Sequence, residues 1–570
     1  MDLRTLGLQY DRRRLPDDCR LTGRAAAVIV LFGLSMLLPG LGSAHVLTYH
    51  EVVFAGPAKE MIATGNWILP KIGGIPFTDK PPATAWSIAA SMLLFGSQSE
   101  WVVRLPSVVA AITAALLVGA MAARWFGRTV GFVAGMIQLT CLYVLTQARL
   151  SEADMLLTAA TTATMSIWAL AHVESPRGRV TDRRLAWLFY AALAGVFFIK
   201  GLVGPVMIVA GCVSFAFLQR DFAQLRFLLN PVGLAIFITP IVAWFMAAYQ
   251  QFPGILDNMV RHHFGRFQGA LGQHEPWYGY WYLIPQAVLP WFPLVLVALV
   301  RGLRTGWAAD ARWRFLLCWI VPGLAMLSWS TFKARHYPMP LLPPLAILAA
   351  QGLLDYMSSR AQARRLGSLA LSALTVVCCS VGIVLVERHV RQAPHETAAM
   401  VGLLGVGLLA VIECERRRRI AAGLTMMFAT VWCVSVGVQL FVFGRHDSYR
   451  PQTELARRIN EAVPPGQTIH VVGLPDNQIL YYLDRPLVRI DERADFADVQ
   501  ATASGELYVV AAQHFAEELA ARGPVETLDR CAGLNSYMTE QHRLMFVRTT
   551  PQIDAAPAAA TAAAGATLRR

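Results

Sequence analysis

The chain has 570 residues, 55% of them hydrophobic and 15% charged, with a mean hydropathy of +0.45. That balance excludes an ordinary water-soluble globular protein and fits a chain that crosses a membrane many times. The formal net charge of +13 does not point to nucleic acid, because the basic residues stand in short clusters between apolar runs, as in the cytoplasmic loops of a membrane protein.

Residues 1–24 are basic and read as a cytoplasmic tail, followed by a retained anchor, since the next apolar run is long enough to span. A spanning helix needs about 20 mostly apolar residues, and that pattern recurs about 13 times along the chain. The expected spans lie near residues 25–44, 102–123, 129–147, 153–170, 185–199, 202–218, 228–248, 283–300, 314–331, 338–354, 368–386, 399–413 and 420–443. Arginine clusters such as RGRVTDRR, RAQARR and RRRR (416–419) fall in alternate loops, which places the N-terminus inside and, with an odd number of spans, the C-terminal region outside. Most cysteines, Cys141, Cys212, Cys318, Cys378, Cys379 and Cys433 among them, sit inside apolar segments without metal-ligand spacing and read as small core residues.

The polar residues that remain gather on the outer side. The first outer loop, near 45–101, carries His50, Glu51 and Asp79, and mixed amphipathic segments that suit short helices on the membrane surface. Asp154 opens the fourth span, Lys200 lies between the fifth and sixth, RHHFGRFQG (261–269) occupies a long outer loop, and FKARHYPMP (332–340) joins the ninth and tenth. All five lysines, Lys59, Lys71, Lys80, Lys200 and Lys333, are on this side, where an ammonium point charge suits a phosphate. Taken singly each has a plainer reading: a helix cap for Asp154, snorkelling for Lys200 and Lys333, a surface loop for His262 and His263. Together, ionisable groups at one membrane face form a candidate site in which cations hold a phosphate leaving group and a carboxylate positions or deprotonates an acceptor. A transporter would more naturally show broken helices and internal repeats, which the sequence does not display.

The order of motifs resembles the bacterial aminoarabinose transferase and protein mannosyltransferase family, membrane glycosyltransferases of the GT-C class. The matching pieces are HE, AKEMIATGNWILPKIGGIPFTDKPP, RLSEADMLL, IKGLVGPVMI, HHFGRFQG, HEPWYGYW and STFKARHYPMPLLPPLA, within residues 25–355. The resemblance implies an α-helical polytopic fold of about 13 spans with a C-terminal periplasmic α/β domain, in a bacterial inner membrane. It also implies inverting transfer of a sugar, 4-amino-4-deoxy-L-arabinose for one branch of the family, from undecaprenyl phosphate to a periplasmic acceptor such as lipid A phosphate. Its acidic positions fall on His50, Glu51 and Asp154; its phosphate-binding positions on Lys80, Lys200 and Lys333, with Arg261, Arg266 and His336 as helpers. Where the family has aspartate then glutamate, this chain has His50 then Glu51. Histidine can itself accept a proton, Glu51 or Asp154 can serve instead, or the change marks an altered activity. No cofactor is implied; a divalent metal, if used, would fall to Asp79 with His262 or His263, though no tight ligand spacing is present. The expected partners are the lipid-linked donor, the acceptor and membrane lipids, acting on a monomer. A related transferase acting on protein or another glycan, and a lipid-linked sugar binder or flippase without turnover, stay open as alternatives.

Residues 444–550 change to the composition of a soluble α/β domain. TIHVVG, PLVRID, ELYVVAA and LMFVR read as strands, alternating with helix-like ELARRINEAV, NQILYYL and HFAEELAARG. Lacking a phosphate loop or nucleophile motif, this domain is expected to cover the outer cavity or meet the acceptor. Residues 551–570 are an Ala-rich low-complexity tail, expected to be disordered.

Overall fold

A computed structural model of the chain describes residues 19–42, 47–174, 183–268, 276–305, 310–357, 394–417, 419–443, 451–472, 478–490, 506–522, 525–531 and 544–549. The chain divides into two compact units, Met1–Ile72 with Pro76–Ser448, and Gly73–Ile75 with Tyr449–Arg570.

The first unit is helical. It begins with α1 (Gly23–Leu37), α2 (Tyr49–Thr64), α3 (Ala83–Phe95) and α4 (Glu100–Phe126); between α2 and α3 the chain holds the two-residue strands β1 (Lys71–Ile72) and β2 (Ile75–Pro76), where the division into units falls. It continues through α5 (Arg128–Thr140), α6 (Leu142–Gln147), α7 (Ala153–His172), α8 (Arg183–Lys200), α9 (Val203–Gln219), α10 (Ala223–Leu228) and α11 (Pro231–Gln251). Then come α12 (Ile255–Gln268), α13 (Gly279–Ala287), α14 (Phe292–Thr305), α15 (Ala311–Trp329), α16 (Leu342–Met357), α17 (Pro394–Arg416) and α18 (Ile420–Gly437). A helix lies on each expected span except 368–386, which falls outside the described residues. By length and apolarity alone, the crossing helices among the described residues are α4, α11, α17 and α18. Outward-facing Val232, Ile238, Val242 and Met246 on α11 suit contact with lipid.

Two local expectations fail for identifiable reasons. The span expected near 283–300 is a bent pair, α13 and α14, meeting at 109°; Pro290 and Pro293 lack the amide hydrogens a continuous helix would need there. The sequence thus contains a broken helix that its hydropathy did not reveal. The RHHFGRFQG segment, expected as loop, lies largely within α12, whose Ile255 and Met259 pack at i, i+4 against Leu69, Trp244 and Ala248. Elsewhere small residues permit close crossings. A Cβ on Gly352 of α16 would overlap the Leu294 carbonyl of α14, and the same two helices are tied by the Arg301–Asp355 ion pair.

The second unit comprises α19 (Pro451–Ala462), β3 (Ile469–Val472), α20 (Gln478–Tyr482), β4 (Leu487–Ile490), β5 (Leu507–Ala512), α21 (Gln513–Arg522), β6 (Val525–Cys531) and β7 (Leu544–Thr549). The sheet order is β4-β3-β5-β7-β6, parallel across β4, β3 and β5 and antiparallel from β5 through β7 to β6. Val472, Val509, Ala511, Phe515, Leu519 and Val547 form its core. The four strands expected from the sequence are present, with β6 added at the edge. Its VETLDRC sequence carries three charges and lacks the apolar run that marks the inner strands.

Candidate active site

The site is assembled from the ends of helices. Thr48 and Glu51 form a capping box at the start of α2: the Thr48 hydroxyl accepts from Glu51 N, and Glu51 Oε2 accepts from Thr48 N at 2.8 Å. The same carboxylate reaches further. Arg104 of α4 donates to it twice, from Nε at 2.7 Å and Nη2 at 3.1 Å, and Ser151 N donates to Oε1 at 3.1 Å. Glu51 and Arg104 are 0% and 1% exposed, and Arg104 Nη1 also donates to the Leu41 carbonyl at 2.8 Å. One buried carboxylate therefore fixes α2, α4 and the strand of chain that leads into α7.

Three residues after Ser151 stands Asp154, in the first turn of α7 and 3% exposed. Lys200 Nζ donates to its Oδ1 at 2.5 Å, and His336 Nε2 lies 3.8 Å from its Oδ2. Lys200 is the last residue of α8, where the chain reverses through Gly201 at φ 77° directly into α9. Its ammonium also lies 4.8 Å from the Tyr337 ring centroid. Lys333, likewise buried, donates from Nζ to the Ser330 carbonyl at 2.5 Å and rests 6.0 Å from the ring of buried Tyr280. Lys80 is half-buried, with Nζ 5.6 Å from the Phe54 ring centroid.

Two further titratable groups face this cluster. Burial pushes the His336 imidazole down to about 4, against the pull of Asp154 and reinforced by Lys200, Lys80 and His50. Burial, then the neighbouring Asp154 and Glu51, push the Glu152 carboxyl up to about 8, with Lys200 and Lys80 opposing. Glu152, Asp154 and His336 present polar atoms all within 4.8 Å of one another, the one metal-capable group of three among the described residues. Lys200 already occupies Asp154 Oδ1, and its positive charge opposes a divalent ion there, so the trio is better suited to pairing charge with a substrate.

Asp154, Lys200 and His336 are thus brought into direct proximity, while Lys80 and His50 act on His336 through charge. His50 itself is exposed in the first turn of α2. Asp79 is half-buried beside Lys80, and Arg261 is exposed on α12. The side chains of His262, His263 and Arg266 lie outside the described residues. Sequence reasoning missed Glu152, Arg104, Tyr280 and Tyr337. Glu152 carried a signal, being an ionisable residue at the same membrane edge two positions before Asp154; Arg104 read as the flank of a span.

A model of the dolichyl-phosphate-mannose-protein mannosyltransferase family matches residues 79–244. The undecaprenyl phosphate-alpha-4-amino-4-deoxy-L-arabinose arabinosyl transferase of Pseudomonas savastanoi pv. phaseolicola is 30% identical over 393 residues, covering 67% of this chain and 71% of the relative. The chain belongs to this transferase family. The arabinosyl transferase of Pectobacterium carotovorum subsp. carotovorum is 28% identical over 449 residues, 75% of this chain and 78% of that one. Among solved structures, ArnT from Cupriavidus metallidurans bound to undecaprenyl phosphate superposes with a TM-score of 0.74 at 18% identity, covering 92% of this chain and 97% of the other. The fold is accordingly that of the GT-C membrane glycosyltransferases, and the chain is a multi-pass membrane protein.

Proposed function

We propose that this member of the arabinosyl transferase family transfers 4-amino-4-deoxy-L-arabinose from undecaprenyl phosphate to a phosphate of lipid A at the periplasmic face of the inner membrane. Family membership supports the donor and the reaction; the buried Asp154–Lys200 pair beside His336 is the observation that carries the assignment of the site. About 13 spans, a monomer, and a periplasmic α/β domain at residues 444–550 belong to the same reading.

In the reaction, an oxygen of the acceptor phosphate forms a bond to the anomeric carbon as the bond from that carbon to the donor phosphate oxygen breaks. Undecaprenyl phosphate leaves with the electron pair, and the configuration inverts. The acceptor phosphate is already ionised, so the site must orient it rather than take its proton; this makes histidine at position 50 tolerable where the family resemblance implies aspartate. Lys80, Lys200 and Lys333 balance charge gathering on the leaving phosphate, with His336 as a neutral hydrogen-bonding partner. Arg261 and Arg266 are assigned a peripheral part in phosphate capture. Glu51, expected from the sequence as a catalytic carboxylate, is assigned a positioning part: its oxygens are taken up by Arg104, Ser151 and Thr48, and it acts by holding the entry to α7.

The deciding experiment is transfer by the purified chain from the lipid-linked aminosugar to lipid A. Wild-type transfer that falls about a hundredfold or more in Asp154→Asn supports the assignment; full activity in Asp154→Asn removes it. A second reading, transfer to a protein hydroxyl, draws on the mannosyltransferase likeness of residues 79–244. Sugar found on a serine- and threonine-bearing peptide, with none on lipid A, would favour that reading.

A further inference from the structure

Glu152 has the wrong surroundings for a structural carboxylate. It is the N-cap residue of α7, yet its side chain makes no capping hydrogen bond. It is 7% exposed, and among the described residues its carboxyl forms neither a hydrogen bond nor an ion pair. A buried carboxyl normally finds a cation or several donors. Lys200, a lysine whose charge acts on Glu152, is committed to Asp154 at 2.5 Å. Nevertheless Glu152 faces inward, its polar atoms within 4.8 Å of Asp154 and His336.

A buried acid left without a cation, at the point where substrate must be held, is a receptor for a cation the ligand brings. Two of its charged neighbours, Asp154 and Glu51, are negative and strengthen that preference, while Lys200 and Lys80 oppose it and are the charges suited to the anionic phosphate. Resting on the function proposed above, the donor is a lipid phosphate at one end and a primary amine, protonated at neutral pH, at the other. We infer that Glu152 is a specificity-determining residue that pairs with the ammonium group of the donor sugar, so that this chain selects an amine-bearing sugar over its hydroxyl counterpart.

Discrimination of this kind is large because a hydroxyl cannot satisfy a buried acid as an ammonium does. The test uses full-length protein in lipid nanodiscs with chelator present throughout, so that no divalent ion takes the place of the amine. Two undecaprenyl-phosphate donors are compared, one carrying the 4-amino sugar and one carrying the same pentose with a 4-hydroxyl group. Wild type should prefer the amine donor in kcat/KM. Glu152→Gln should lower kcat/KM for the amine donor about tenfold or more beyond any change on the hydroxyl donor, mainly through KM, so that the wild-type preference collapses. Glu152→Asp, which keeps the acid, should restore part of the preference. Cooperative thermal unfolding of Glu152→Gln, measured alongside wild type, shows that the variant folds. Equal losses on both donors, or an unchanged preference, would overturn the role of Glu152 while leaving the transferase reading intact. If wild type transfers neither sugar, the transferase reading falls and this inference with it.

Discussion

Asp154 and Lys200 are buried against each other, and each is the other's compensation for leaving water. Lys200→Met should therefore destabilise the chain by about 3–5 kcal/mol, the cost of stranding one partner of a buried pair, while adding Asp154→Asn should recover most of that loss without recovering transfer. Thermal unfolding of the single and double variants measures it; losses that simply add would show that the pair is not coupled. Around the pair, His336 and Glu152 give stability opposite pH slopes. His336 is held down to about 4 from 6.5, so its share of stability is present above 6.5 and is lost as pH falls toward 4. Glu152 is held up to about 8 from 4.5, so its share is present below 4.5 and is lost as pH rises toward 8. Between pH 6.5 and 8 only the second slope acts, and Glu152→Gln should flatten the melting temperature there. A wild-type profile already flat over that range would contradict it. Because Lys200 already neutralises Asp154 and its charge opposes a divalent ion there, chelation should leave transfer within about twofold of the untreated enzyme. Loss on chelation, restored by added metal, would instead put a cation into the mechanism.

At the scale of elements, what the sequence showed plainly was periodicity, and what it hid was interruption. Apolar runs marked α4, α7, α8, α11 and α18 because a spanning helix needs an apolar surface along its whole length. The same rule merged α13 and α14 into one span, since hydropathy averages across the prolines that separate them. It passed over α12, whose charged face diluted the apolar positions at Ile255 and Met259, and β6, an edge strand with little to bury. Helix crossings were equally silent. Gly352 sits where α16 touches the α14 backbone, and Gly352→Ala should cost about 1–3 kcal/mol by forcing the two helices apart. A melting temperature unchanged from wild type would mean that the crossing can relax.

For the whole molecule, composition revealed a membrane chain and arginine placement predicts its orientation, but neither records how distant segments meet. Glu51 joins Arg104 across 53 positions and Ser151 across 100, and no local pattern records such a tie. The orientation has a direct check: a reporter enzyme active only in the periplasm, fused after residue 570, should be active if the span number is odd, and silent if it is even.

The scarcity of lysine in an arginine-rich chain also makes the protein its own chemical map. Lys59, Lys71 and Lys80 are half-buried, whereas Lys200 and Lys333 are buried. An amine-acylating reagent followed by mass spectrometry should thus modify the five lysines in two waves, the first three early and the last two late. The delay of the second wave reads out, without any substrate, how often the buried lysines become open to water.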